Sequence, residues 1–176
     1  MDARTIRGEL RYGDSRSLRR RRWISLLSAL GAVDFAIISL YQLGVIRHLP
    51  DPPGRIFDSD HVNASDKAYA LGIPDGTLGL GLYALTLILA GAGGDVRGGR
   101  SRIFDVLLGG AVIAGAAGAA HYLYDMIRNQ RRACAYCLFG AATHFAMLPF
   151  AIPGARAAGA SLAARGKRGA GTTRAA

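Results

Sequence analysis

WISLLSALGAVDFAIISLYQLGV, residues 23–45, carries one charged side chain, Asp34, in a stretch long enough to cross a bilayer core as a helix at about 1.5 Å per residue. Three more blocks of this kind follow: Ala68 to Ala90, Ile103 to Met126 and Cys134 to Ala155, interrupted only by Asp75, Asp105 and Asp125. In hydrocarbon no water is at hand for backbone N–H and C=O groups, so each block has to satisfy them internally as a helix. The predicted fold class is an all-α membrane protein, a four-transmembrane-helix bundle. The first block is too long for a signal-peptide core and lacks a small-x-small cleavage site, so it is expected to be retained.

The flanks orient the bundle. Of the Lys and Arg residues, eight lie in 1–22, three in 92–102 and five after 155, against three each in 46–67 and 127–133. Basic residues beside short loops stay on the cytoplasmic side, which places both termini there and Cys134 on the extracytoplasmic side. A net charge of +10 over 176 residues raises nucleic acid as a partner, with Arg19-Arg20-Arg21-Arg22 as the obvious contact. That run abuts Trp23 and a span, so membrane lipid is the expected partner and nucleic acid is not.

Three segments are predicted: a basic cytoplasmic tail over 1–22, the membrane domain over 23–156, and a basic, disordered cytoplasmic tail over 157–176. The longest connection, between spans one and two, holds Pro50, Pro52 and Pro53 and then polar residues from Asp58 to Ser65, which permit turns and a short helix near Asn63 to Lys67. Span two should be regular only after Asp75, since Pro74 suits a helix start. Span three carries Gly110, Ala114 and Gly118 with Ala111, Gly115 and Ala119 alongside, a small-xxx-small ladder for close packing against neighbours. Pro149 and Pro153 should bend or end span four.

Cys134-Ala135-Tyr136-Cys137 contains the only two cysteines. At the first turn of a helix their sulfurs lie beside unpaired N–H groups and the positive end of the helix dipole, which favours a thiolate, and Arg131 and Arg132 act in the same sense. The pair reads as a membrane dithiol, with Cys134 the more exposed partner in exchange and Cys137 the deeper one; the bland reading is two small packing residues. Asp75 reads either as a neutral acid donating to a ligand carbonyl or as an ordinary N-cap. Asp34 invites the same choice, its structural reading being a hydrogen bond to a serine or tyrosine on another span. His144 lies seven residues beyond Cys137 on the same helical face, and His121 belongs near the Cys134 side; a histidine bonded to a neighbouring helix outweighs metal or haem binding. No metal-type Cys/His spacing is present, so no metal is expected.

Four spans, a long first loop with Val62-Asn63-Ala64-Ser65, then Leu71-Gly72-Ile73-Pro74-Asp75-Gly76-Thr77-Leu78-Gly79, then Cys134-x-x-Cys137 opening span four, together resemble the vitamin K epoxide reductase family over residues 23–150. The resemblance implies a bundle around a quinone, ubiquinone or menaquinone, with Cys134 and Cys137 as catalytic centre. It implies a thiol-disulfide oxidoreductase of a bacterial inner (plasma) membrane that supports disulfide formation in exported proteins through a thioredoxin-like extracytoplasmic partner. Asp75, Gly79, Tyr83, Tyr122 and Phe139 are the candidate quinone contacts, and Ser59, Val62, Asn63 and Ser65 the loop residues capping the site. The family's second cysteine pair would fall near Asp51 and at Ser59, and neither is cysteine here. A partner thiol then reaches Cys134 directly, or the chemistry is altered. The family's quinone-contacting asparagine maps onto Asp75 and its tyrosine onto Ala141, leaving Tyr136, Phe139, Tyr83 and Tyr122 as aromatic substitutes or as belt and packing residues. The competing functional class is a non-catalytic four-helix membrane protein that binds a small apolar ligand or a partner.

Overall fold

The computed structural model describes residues 2–93 and 99–172, with side chains over 2–93 and 102–164. It contains α1 (Ala3–Tyr12), α2 (Arg16–Gln42), α3 (Ser59–Asn63), α4 (Asp75–Ala92), α5 (Gly99–Asp125) and α6 (Ala135–Thr172). A 3-10 turn, Asp66–Tyr69, precedes α4, and a π turn, Met126–Gln130, follows α5. Four helical stretches are long and apolar enough to cross a membrane: Arg16–Gln42, Asp75–Ala92, Arg102–Gln130 and Ala135–Ala164. Val33, Ile88, Leu107 and Ile113 are exposed, as an apolar exterior facing lipid requires. The chain is an integral membrane protein built as an all-α bundle.

Several boundaries differ from expectation. Residues 3–12 and 16–22 are helical, because Ser15 caps α2 by accepting from Leu18 N (3.1 Å) and the arginines are good helix formers. The helix over 157–172 is a continuation of α6 through an alanine-rich stretch. Arg97 and residues 173–176 of the expected tail and loop lie outside the described residues. Neither Pro149 nor Pro153 ends α6; both lie inside it, which membrane helices tolerate because neighbouring groups take up the freed carbonyls.

The helices form a ring. α2 packs against α4 and α6, α5 packs against the same two, and α2 and α5 face each other across one diagonal. Polar side chains bridge both diagonals. From α4, Tyr83 Oη donates to Gly140 O of α6 (2.9 Å) and lies 2.6 Å from Thr143 Oγ1. From α2, Arg21 pairs with Asp105 of α5 and donates to the carbonyls of Leu89 and Ala90 at the end of α4 (3.0 and 2.8 Å). Arg21 is therefore turned into the bundle and is not part of an arginine run spread on lipid. Ile24, Tyr83, Leu108, Val112, Met147 and Ala151 form the core between these bridges.

Candidate active site

Cys134 and Cys137 form a disulfide at the start of α6. Cys134 stands just before the helix, and its sulfur accepts the N–H of Cys137 (3.0 Å), so a disulfide sulfur occupies the place of an N-capping oxygen. The preceding loop is stitched over it. Asp58 N donates to Ala133 O (2.9 Å) and Ala133 N to Ile56 O (2.8 Å), an isolated parallel bridge. Ser59 Oγ donates to Asp51 Oδ1 (2.6 Å) and accepts the first N–H of α6, from Ala135 (3.1 Å). Asn63 Nδ2 donates to Cys134 Sγ (3.2 Å) and to Ser59 O (2.8 Å), and Val62 packs on Cys134 beside Met126. Ser65 closes a local turn onto Val62 O (2.8 Å).

This cap reverses one expectation. Cys134 has no exposed surface, while Cys137 is only half-buried. Exposure at a helix start assumes solvent beyond it, and here α3 fills that space. Arg132 donates to Arg55 O (3.1 Å), holding the loop rather than facing a sulfur.

Below the cap, all four long helices enclose a cavity of about 250 Å³. Cys137 and Asn63 line its upper wall, with Asp75, Gly79 and Tyr122 beside them and Ala141 and His144 deeper. Three of the five candidate quinone contacts, Asp75, Gly79 and Tyr122, thus share one space with Cys137 and Asn63. Two do not: Tyr83 is fully buried with its hydroxyl committed to α6, and Phe139 points outward, 45% exposed. Tyr136 Oη donates to Pro50 O (3.2 Å) and steadies the loop. Asp75 is the first residue of α4 and not its N-cap, a place Pro74 takes. Its Oδ1 accepts from Gln42 Nε2 (2.6 Å), while Gln42 Oε1 accepts the N–H of Gly76 (3.0 Å). Gln42, which reading the sequence missed, thus caps α4 and aligns the carboxyl; its only signal is a lone amide at the end of an apolar span.

The remaining polar groups also depart from expectation. Asp34 Oδ2 is buried with no hydrogen-bond partner, and no serine or tyrosine bonds it among the described residues. His144 stacks on Tyr83, ring centroids 4.4 Å apart, with Nδ1 unpaired rather than bonded to a neighbouring helix. His121 is exposed on α5.

The family model described as "Vitamin K epoxide reductase family" matches residues 22–152, well over half of the chain. The chain belongs to the vitamin K epoxide reductase family. No curated protein and no solved structure matches it. Membership in the family supports a membrane thiol oxidoreductase in general, and the Cys134–Cys137 disulfide is the chain's one cysteine pair. The two loop positions at which the family resemblance places cysteines are here joined without sulfur, through the bonds from Ser59 Oγ and Ser59 N to Asp51 (2.6 and 2.7 Å).

Proposed function

We propose that this protein couples the Cys134–Cys137 pair to a membrane quinone and so supports disulfide formation in exported proteins. The observation that carries the reading is the place of Cys137: half of a disulfide, in the wall of an apolar cavity that opens among the spans. Asp75, Tyr122, Asn63 and His144 give that wall a few polar groups in an otherwise apolar lining, the chemistry a quinone ring with two carbonyls fits. A quinone supplies a two-electron, two-proton acceptor when bound there.

The chain's own residues do the rest. A partner thiolate attacks the disulfide at Cys134 and forms a mixed disulfide, releasing the sulfur of Cys137. The partner's second thiol resolves that bond, leaving an oxidised partner and two thiols on this chain. Cys137 and Cys134 then re-form their bond, passing two electrons and two protons to the acceptor in the cavity. Asp75, held by Gln42, orients a carbonyl, and Asn63 steadies the sulfur of Cys134. Because Cys134 lies under α3, exchange requires the cap from Asp58 to Ser65 to lift.

The test is alkylation mapping in isolated membranes with reductant and then ubiquinone or menaquinone. Reduced cysteines should regain the disulfide on adding quinone. A redox state indifferent to quinone sinks the proposal and favours a non-catalytic binding protein. A mixed disulfide trapped in Cys137→Ala supports the roles given; trapping only in Cys134→Ala reverses them.

A further inference from the structure

At the end of the bundle away from the cysteines, α2, α5 and α6 enclose a second cavity of about 310 Å³. Arg20, Arg21 and Arg102 line it, with Asp105 and the hydroxyl residues Ser17 and Ser161. Asp105 is taken up by Arg21. Arg20 and Arg102 have no ion-pair partner among the described residues, and Nε of Arg21, a side chain 4% exposed, is buried without an acceptor. Two guanidinium groups without an ion-pair partner beside an unsatisfied buried N–H make a wall that matches an oxyanion, which would accept charge-assisted hydrogen bonds from all three.

We propose that this cavity binds the phosphate of an anionic phospholipid headgroup. The chemistry recognised is a phosphate oxyanion, and position assigns its source. Trp23, half exposed, stacks on Phe150 with centroids 6.2 Å apart, and Phe150 lines the cavity. A large amphipathic ring at the end of a span marks the level of lipid headgroups. Below it, α2 exposes Leu26 and Leu30 to acyl chains. From Arg21 to Gln42, α2 advances about 30 Å at 1.5 Å per residue, and Gln42 bonds Asp75 at the disulfide end, so the arginines of this cavity and the disulfide end of the bundle lie about one hydrocarbon thickness apart. The lipid site is therefore separate from the redox site and does not depend on the function proposed for it.

The test uses the full chain in non-ionic detergent, measuring binding of phosphatidylglycerol and phosphatidylcholine by native mass spectrometry and the thermal midpoint with each lipid or with inorganic phosphate. Wild type is compared with Arg20→Gln/Arg102→Gln, and with Arg4→Gln/Arg7→Gln, which removes as much charge from exposed α1 outside the cavity; Arg21 is left intact to keep its pair. Phosphatidylglycerol should bind and stabilise where phosphatidylcholine does not, and its affinity should fall about tenfold or more in the cavity variant while the α1 variant stays near wild type. Equal losses in both variants, or undiminished affinity in the cavity variant, overturn the site. Inorganic phosphate that reproduces the stabilisation at equal concentration overturns the lipid assignment in favour of a free anion.

Discussion

Ser59 has no exposed surface, and its hydroxyl is shared between the carboxylate of Asp51 and the first N–H of α6. Replacing it with Ala removes two hydrogen bonds, leaving the first N–H of α6 without this acceptor and Asp51 with only the backbone N–H of Ser59, at a cost of about 1–3 kcal/mol that falls on the contact between the loop and the cysteine segment. Ser59→Ala should therefore open the cap more often, and a hydrophilic reductant should cleave the Cys134–Cys137 bond about 5–30 times faster, as one or two kcal/mol implies. Rates that match wild type in a gel-shift assay of thiol labelling would show that something other than this hydroxyl shields Cys134. The sequence offered Ser59 and Asp51 as two positions without cysteine; that they bond each other was not legible, because a serine and an aspartate eight residues apart announce no partner. That the two cysteines form a redox pair was legible from their spacing, the flanking arginines and the start of a span, with a disulfide or dithiol centre implied by the family resemblance. The burial of Cys134 was not, since it depends on where a loop some 70 positions earlier comes to rest.

At the level of the helix, the small residues of α5 divide two kinds of work that one pattern cannot separate. Gly109 and Gly115 are contact positions: a Cβ at Gly109 would strike Ala155 and one at Gly115 the ring of His144. Gly110 and Gly118 have nothing within 4 Å of such a Cβ, and Gly118 with Ala114 and Ala119 lines the cavity. A ladder of small side chains predicts close packing, yet the same residues vacate volume when the facing helix stays away, so the expected tight seam is in part a cavity wall. Gly118→Leu should fold, since Leu favours helix over Gly by up to about 1 kcal/mol, but its side chain occupies the proposed quinone space. Quinone-driven re-formation of the disulfide should drop about tenfold or more, the consequence of forfeiting at least about 1.4 kcal/mol of ligand binding. Gly115→Ala should do the opposite, lowering stability by about 1–3 kcal/mol through strain against His144. If Gly118→Leu reoxidises at the wild-type rate, the acceptor does not use this cavity. The prolines of α6 carry a similar lesson: they do not end the helix, because lipid forbids an unpaired backbone.

Across the whole bundle, the ring contacts are mostly apolar, the Gln42 bonds to Asp75 and Gly76 between α2 and α4 aside, and lipid tails compete with such contacts on nearly equal terms. What the exterior cannot match is a bond across a diagonal. Tyr83 ties α4 to α6, and Arg21 ties α2 to α5 and to the end of α4. The four spans and their order were legible from hydropathy. Neither diagonal was, because Arg21 sits in a run of four arginines that composition alone assigns to the surface. Its burial makes a double-mutant cycle decisive. Asp105→Leu strands a guanidinium that is almost wholly buried and should cost about 3–5 kcal/mol in reversible unfolding from bicelles. Arg21→Met strands a carboxylate that keeps some exposure and should cost less. The double variant Arg21→Met/Asp105→Leu, with no charge left to desolvate, should regain most of what Asp105→Leu lost, giving a coupling of about 2 kcal/mol or more between positions 84 apart in sequence. Costs that simply add in the double variant would mean that the two side chains act independently and that the bundle is held by its ring contacts alone.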